Sequence, residues 1–240
     1  MDADAAVIWS VLWNGRMYGN KQIYEYYRSQ NKPVFIIEVG SLIRGKTWKV
    51  SLNNITLDGI YPTDIIDVHR PTKLKLSLQE WNNNRKQSIL IATQHDKSLQ
   101  WEGMPSVNTW INDTISQLRQ YTDRPIVIRP HPRCTINVPN IVVEYPVKIP
   151  NTYDIFNIDY THHCIVNYSS GVGIQASIAG APVICSSKGL AYPVASSYEN
   201  IENIIQPDRT EWFLKICHTE WTVDEIERGI PQSILLNHLT

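Results

Sequence analysis

Long apolar runs are missing from this 240-residue chain. No stretch approaches the roughly 18 apolar residues of a membrane-spanning helix, so no membrane span is expected. Cysteine is scarce: Cys134, Cys164, Cys185 and Cys217 stand far apart with no Cys-x-x-Cys pair. That spacing argues against a disulfide framework or a zinc site and for the reduced thiols of a cytoplasmic protein. The opening Met-Asp-Ala-Asp is acidic, unlike the start of a signal peptide. His162 and His163 lack a partner at metal-ligand spacing, so no metal is expected. Charged residues make up only 19% of the chain and nearly cancel, leaving a net charge of −1 without the basic stripe of a nucleic-acid binder. Internal repeats and low-complexity segments are also absent.

What is present suits a globular protein. Hydrophobic residues reach 42%, and the length allows one large domain or two small ones. The small charge is unevenly spread: residues 1–90 hold 12 Lys/Arg against 8 Asp/Glu, and the remaining 150 hold 10 against 15. A mildly basic first half is compatible with an anionic partner, although most such imbalances are solvated surface. The eight Trp and twelve Tyr are expected mostly in core and rim, with stacking on sugars or bases as the alternative.

The pattern of apolar runs predicts strands at residues 5–12, 34–37, 48–52, 88–92, 126–128, 142–143, 164–167 and 183–185. Helices are expected at 20–30, with Ile23, Tyr26 and Tyr27 buried, and at 105–121, with Trp110, Ile111, Ile115 and Leu118 on one face. A further helix is expected at 171–179, closed by Gly180 and Pro182. The end reads as helical over 209–218 and again from Thr222, stopping near Gly229-Ile230-Pro231. Alternation of strands and helices predicts parallel α/β architecture. The polar segment from Trp81 to Lys86 reads as a linker between two halves.

In an open parallel sheet, chemistry gathers just beyond the carboxyl ends of strands. Three such corners carry suitable side chains: Gln94 and Asp96; Arg129-Pro130-His131-Pro132; and Ser169-Ser170-Gly171-Val172-Gly173. Arg129 and His131 can donate to a phosphate from a corner stiffened by prolines. Ser169 and Ser170 are N-cap candidates, and the helix start behind them favours anions. In the first half Glu38 stands at a strand end with Arg44 nearby. It is a candidate general base, with Asp96 in reserve, or else an ion-pair or capping residue.

These segments, in their shared order, resemble the GT-B glycosyltransferases of the capsule-polysaccharide Kdo-transferase type. Ile37-Glu38-Val39-Gly40-Ser41-Leu42-Ile43-Arg44 is similar to that family's Glu-Asp-Gly-Phe-Leu-Arg segment, and Ser51-Leu52 with Asp58-Gly59-Ile60-Tyr61 to the Ser-Leu…Gly-Ile-Tyr after it. Gln94-His95-Asp96-Lys97-Ser98 resembles the Gln…Asp-x-Ser corner, and Arg129-Pro130-His131-Pro132 the Lys/Arg-Pro-His-Pro motif. Tyr168-Ser169-Ser170-Gly171 through Gly180-Ala181-Pro182-Val183 resembles the Ser-x-x-Gly…Gly-x-Pro-Val element that binds the donor nucleotide. Two positions depart from the pattern. Val39 replaces an Asp and Gln175 replaces a Glu, which leaves an uncharged carboxamide for the ribose contact.

The resemblance implies a GT-B-like α/β fold of two Rossmann-like halves with parallel sheets facing a cleft. Residues 1–80 would take the acceptor, 81–220 the nucleotide sugar, and 221–240 would form a helical segment packing back on the first half. The implied activity moves a sugar from a nucleotide-activated donor to a hydroxyl, with the nucleotide sugar as co-substrate and neither cofactor nor metal. Arg129, His131, Ser169, Ser170, Gly171 and Gln175 would bind the nucleotide, and Arg44, Gln94 and Ser98 would contact donor or acceptor. The acceptor would be a glycan, or a hydroxymethylated base in phage DNA. Two alternatives remain open: a catalytically degenerate nucleotide- or sugar-binding protein, and a nucleotide-sugar epimerase.

Overall fold

The computed structural model describes residues 3–239, so Met1, Asp2 and Thr240 of the first and last segments lie outside the described residues. In chain order the elements are β1 (Ala6–Trp9), α1 (Tyr18–Ser29), β2 (Val34–Val39), β3 (Thr47–Leu52), α2 (Arg70–Lys73), β4 (Ile89–Ala92), α3 (Val107–Leu118), β5 (Ile126–Arg129), β6 (Val142–Val143), β7 (Cys164–Asn167), α4 (Gly171–Ile178), β8 (Val183–Ile184), α5 (Thr210–Cys217), β9 (Glu220–Thr222), α6 (Val223–Glu227) and α7 (Ile230–Leu236). The chain is mixed α/β and forms two compact units. Unit 1 gathers the described residues up to Leu76, Lys97–Glu102, and those from Phe213 on; unit 2 holds Ser77–Asp96 and Gly103–Trp212. Among the described residues no helix is long and apolar enough to cross a membrane.

Unit 1 is built on a four-stranded sheet in the order β1-β2-β3-β9. The sheet expected to be parallel is mixed: β1 and β2 run parallel, but β2–β3 and β3–β9 are antiparallel. Residues 40–46 explain why. A parallel return needs a crossover of a dozen or more residues, and the link between β2 and β3 is too short for one. Alternation along β2 serves two cores. Val34 and Ile36 pack with Ile8 and Tyr27 on one side, and Phe35 packs with Val50, Leu52, Trp221 and Leu235 on the other.

The first helix presents a different face from the one expected. Tyr27 is buried and Tyr24 packs beside it, but Ile23 and Tyr26 are exposed. The Tyr24 hydroxyl donates to Asn53 O at 2.9 Å, which turns the helix toward the residue that follows β3. The chain's end is also more structured than its sequence suggests. Gly229 adopts φ 71°, and Pro231 sits in the first turn of α7, where its missing N–H costs nothing. The pair reads as a stop but works as a corner between two helices. Arg70 pins this region: its guanidinium donates to Cys217 O and Glu220 O at 2.6 Å each and to Glu225 at 2.8 Å, and stacks 3.9 Å from the Trp221 ring.

Unit 2 carries a five-stranded, all-parallel sheet in the order β6-β5-β4-β7-β8. Ile89, Ile91, Leu118, Ile126, Val166 and Ile184 form much of its core, with Trp110 and Ile115 packed against it. Thus α3 buries the face its spacing predicts, and the Ser106 hydroxyl caps it by accepting from Thr109 N–H at 3.1 Å. Behind α4, Gly180 adopts φ 82°, and a Cβ there would lie 2.0 Å from Glu80 O. Glycine is required at that helix end both for its left-handed backbone and for space.

Candidate functional site

The strand order of unit 2 brings three corners to one edge. Sequence neighbours β4 and β5 lie side by side, while the later β7 pairs with the other flank of β4. The winding therefore reverses between β4 and β7, the place where open α/β sheets hold ligands. Register completes the arrangement: Ala92 is paired with Arg129 on one side and with Asn167 on the other. The segments that follow those residues, starting at Thr93, Pro130 and Tyr168, leave the sheet together.

Hydrogen bonds lock the corners to one another. Gln94 is buried, and its Oε1 accepts from Ser169 N–H at 3.0 Å and from the Ser169 hydroxyl at 3.3 Å. Its Nε2 has no partner among the described residues. The Thr93 hydroxyl accepts from His131 N–H at 2.8 Å. His131 Nδ1 accepts from Arg133 N–H at 3.2 Å, so in the neutral ring the proton lies on Nε2 and makes that atom a donor. Arg129 is buried; one terminal nitrogen donates to Asn157 O, and its Nε has no partner among the described residues. Burial pushes its pKa down, opposed by Tyr160 and Glu144. An arginine remains a cation regardless.

At the start of α4 the serine roles differ from expectation. Ser170 occupies the N-cap, but its hydroxyl makes no capping bond; Asn167 Nδ2 donates to it at 3.3 Å. The Ser169 hydroxyl is turned to Gln94. Ser170 thus gives the first turn of α4 no side-chain cap, and the helix start is electropositive. Gly173 allows the close approach, since a Cβ there would lie 2.8 Å from Asn167 Oδ1. Gln175 accepts from the Tyr160 hydroxyl at 3.1 Å, and burial raises that hydroxyl's pKa. Asp96 is exposed; its Oδ1 lies 3.6 Å from both Cys134 Sγ and His95 Nδ1.

The remaining predicted residues lie in unit 1. Ser98 forms a bridge with Leu12. Arg44 bridges Thr47 in the loop after β2. Glu38 is half-buried and holds the end of β1 to β2. Its Oε2 accepts from Val11 N–H at 2.8 Å and the Ser10 hydroxyl at 3.2 Å, and its Oε1 accepts from Val39 N–H at 2.7 Å.

Sequence reasoning missed Glu220, which is fully buried. On the three strands β2, β3 and β9, the residues Glu38, Lys49 and Glu220 stand directly opposite one another. Burial pushes the Lys49 pKa down, while Glu220 and Glu38 push it up. The available signal was Lys49 in β3, directly opposite Glu38. Its other partner lies about 170 positions away in sequence and left no local trace.

No family model matches the chain, and no curated protein does. Among solved structures the chain is similar to the Thermosulfurimonas dismutans KpsC β-Kdo 2,4-transferase, with 14% identity and a TM-score of 0.50 over 98% of this chain and 87% of that one. It is also similar to the β-Kdo 2,7-transferase of the same organism's KpsC, with 15% identity and a TM-score of 0.49 over 98% and 85%. At such identity the first likeness shows the fold alone.

Proposed function

We propose that the chain is a GT-B-type glycosyltransferase, with the nucleotide sugar bound at the strand ends of unit 2 and the acceptor on unit 1. The observation that carries this reading is the buried carboxamide of Gln94, whose oxygen is held by Ser169 while its Nε2 has no partner among the described residues. A buried, unsatisfied donor costs about 1–3 kcal/mol, and a bound anion relieves that cost. Arg129 and the Nε2–H of His131 supply further donors, and the uncapped start of α4 adds its dipole.

In the proposed reaction the bond from the sugar's anomeric carbon to the phosphate oxygen breaks, and its electron pair leaves with the nucleotide. Arg129, His131 and the α4 amides stabilise that charge. The acceptor oxygen bonds to the anomeric carbon and gives up its proton to a carboxylate. Glu38 is the candidate: its Oε1 accepts from Val39 N–H, and a carboxylate oxygen has a further lone pair that can take the proton. A glycan hydroxyl is the favoured acceptor, since the similar solved structure is a Kdo transferase.

A second reading is a binding protein without turnover. It is favoured by the three donors that occupy Glu38, which suit a structural carboxylate. A thermal-shift screen of CMP-, UDP- and GDP-sugars, followed by mass spectrometry with glycan and hydroxymethylcytosine-DNA acceptors, separates the two. Product formation or slow donor hydrolysis, lost in Arg129→Ala and His131→Ala, supports the transferase. Tight nucleotide binding without turnover on any acceptor supports the binder. Wild-type turnover by both variants would sink the phosphate assignment.

A further inference from the structure

We infer that the corner formed by His95, Asp96 and Cys134 is a binding site for one divalent cation of the zinc class. The inference stands apart from the sugar chemistry, because it rests on three ligand types that two neighbouring strands bring together. His95 and Asp96 follow β4, and Cys134 follows β5, its pairing partner. A ring nitrogen of His95, a carboxylate oxygen of Asp96 and the Cys134 thiol all lie within 4.8 Å of one another.

Two of the three spacings, both from Asp96, come close to those of a single tetrahedral centre. With Zn–S near 2.3 Å and Zn–N or Zn–O near 2.0 Å, tetrahedral angles place ligand atoms roughly 3.3–3.5 Å apart. Asp96 Oδ1 lies 3.6 Å from Cys134 Sγ and 3.6 Å from His95 Nδ1. The same oxygen thus sits at near-ligand distance from both partners. A thiolate, an imidazole and a carboxylate form a mixed set that suits zinc, and three protein ligands leave a fourth position for solvent or an anion.

The backbone around the ligands is already fixed. Cys134 N–H donates to His131 O at 3.0 Å, and His131 N–H donates to the Thr93 hydroxyl at 2.8 Å, which ties the cysteine's turn to the corner that carries His95. The His131 ring packs edge-on to His95, with centroids 5.2 Å apart. Binding converts the Cys134 thiol to a metal thiolate and releases one proton, so affinity rises with pH. Occupancy would stiffen the β4 and β5 corners together, beside the residues assigned to phosphate.

Titration of the reduced, metal-free protein with cobalt(II) tests the inference. One equivalent is expected to produce a thiolate-to-cobalt charge-transfer band, which zinc then removes. The chain has three other cysteines, so the cysteine variant decides which thiol the band reports. The Cys134→Ser variant should lose the band, and Asp96→Asn should weaken zinc binding at least tenfold in competition with a chromophoric chelator. Asp96 is exposed, so its variant keeps the fold even if the Cys134 variant does not. Absence of the band from the wild type, or its persistence in Cys134→Ser, overturns the site. So does unchanged zinc affinity in Asp96→Asn.

Discussion

Ser41 and Glu220, separated by 179 positions in sequence, meet through two hydrogen bonds: the Ser41 N–H and hydroxyl both donate to Glu220 Oε1, at 2.6 and 2.8 Å. Leu42 N–H and the Thr47 hydroxyl donate to Oε2 at 2.9 and 2.8 Å. A buried carboxylate needs such an environment, because charge without partners is costly away from water. The loop between β2 and β3 is therefore shaped around a side chain delivered from the far end of the chain.

Glu220→Gln should destabilise unit 1 by about 3 kcal/mol, because an amide NH2 would face N–H and O–H donors. Denaturant unfolding followed by tryptophan fluorescence measures it; a loss under about 0.5 kcal/mol would contradict this account.

Two glycines separate backbone strain from steric clash. Gly103 and Gly180 both have positive φ, but a Cβ at Gly103 meets nothing within 4 Å, while one at Gly180 lies 2.0 Å from Glu80 O. Gly103→Ala should cost about 1–2 kcal/mol from left-handed backbone alone. Gly180→Ala should cost clearly more, since Glu80 must move. Equal unfolding midpoints for the two variants would refute the close approach.

Stability should fall on mild acidification. His218 is buried, with Nδ1 paired to Leu214 O at 2.8 Å and Nε2 accepting from Asp67 N–H at 3.0 Å, an arrangement only the neutral ring can make. Burial and Arg70 push its pKa down, against Asp67 and Glu225; burial chiefly does the same to His163. The unfolded chain then binds these protons more readily than the folded one. Their contribution is present above the ordinary histidine value of about 6.5 and is lost as pH falls below it. The unfolding midpoint should drop between about pH 7.5 and about pH 5.5, and His218→Gln should flatten the drop. A pH-independent wild-type midpoint would exclude this linkage.

Gln94→Glu keeps an acceptor for Ser169 but turns the partnerless Nε2 into a carboxylate oxygen. Affinity for a nucleoside diphosphate should fall at least tenfold, about 1.4 kcal/mol or more, while affinity for the uncharged nucleoside stays within a factor of two. Equal losses for both ligands, measured by calorimetry, would show that Gln94 does not lie beside the phosphates.

Local sequence determined the elements of unit 2 closely. Short Ile/Val runs have few alternatives to buried strands, and the left-handed Gly180 at the end of α4 is read from residue type alone. The same local logic failed where a distant partner chose the outcome. The buried face of α1 follows Tyr24 and its bond to Asn53, and the directions in unit 1 follow a short link and a strand supplied by residues 220–222. A sequence presents polar residues at strand ends but does not say which ends are neighbours. Only the pairing of Ala92 with both Arg129 and Asn167 brings Gln94 to Ser169 and His95 and Asp96 to Cys134. Hydrogen-bond register acts between strands, whereas apolar periodicity acts along one. The residue types were legible in the chain, and their meeting was decided by the sheet.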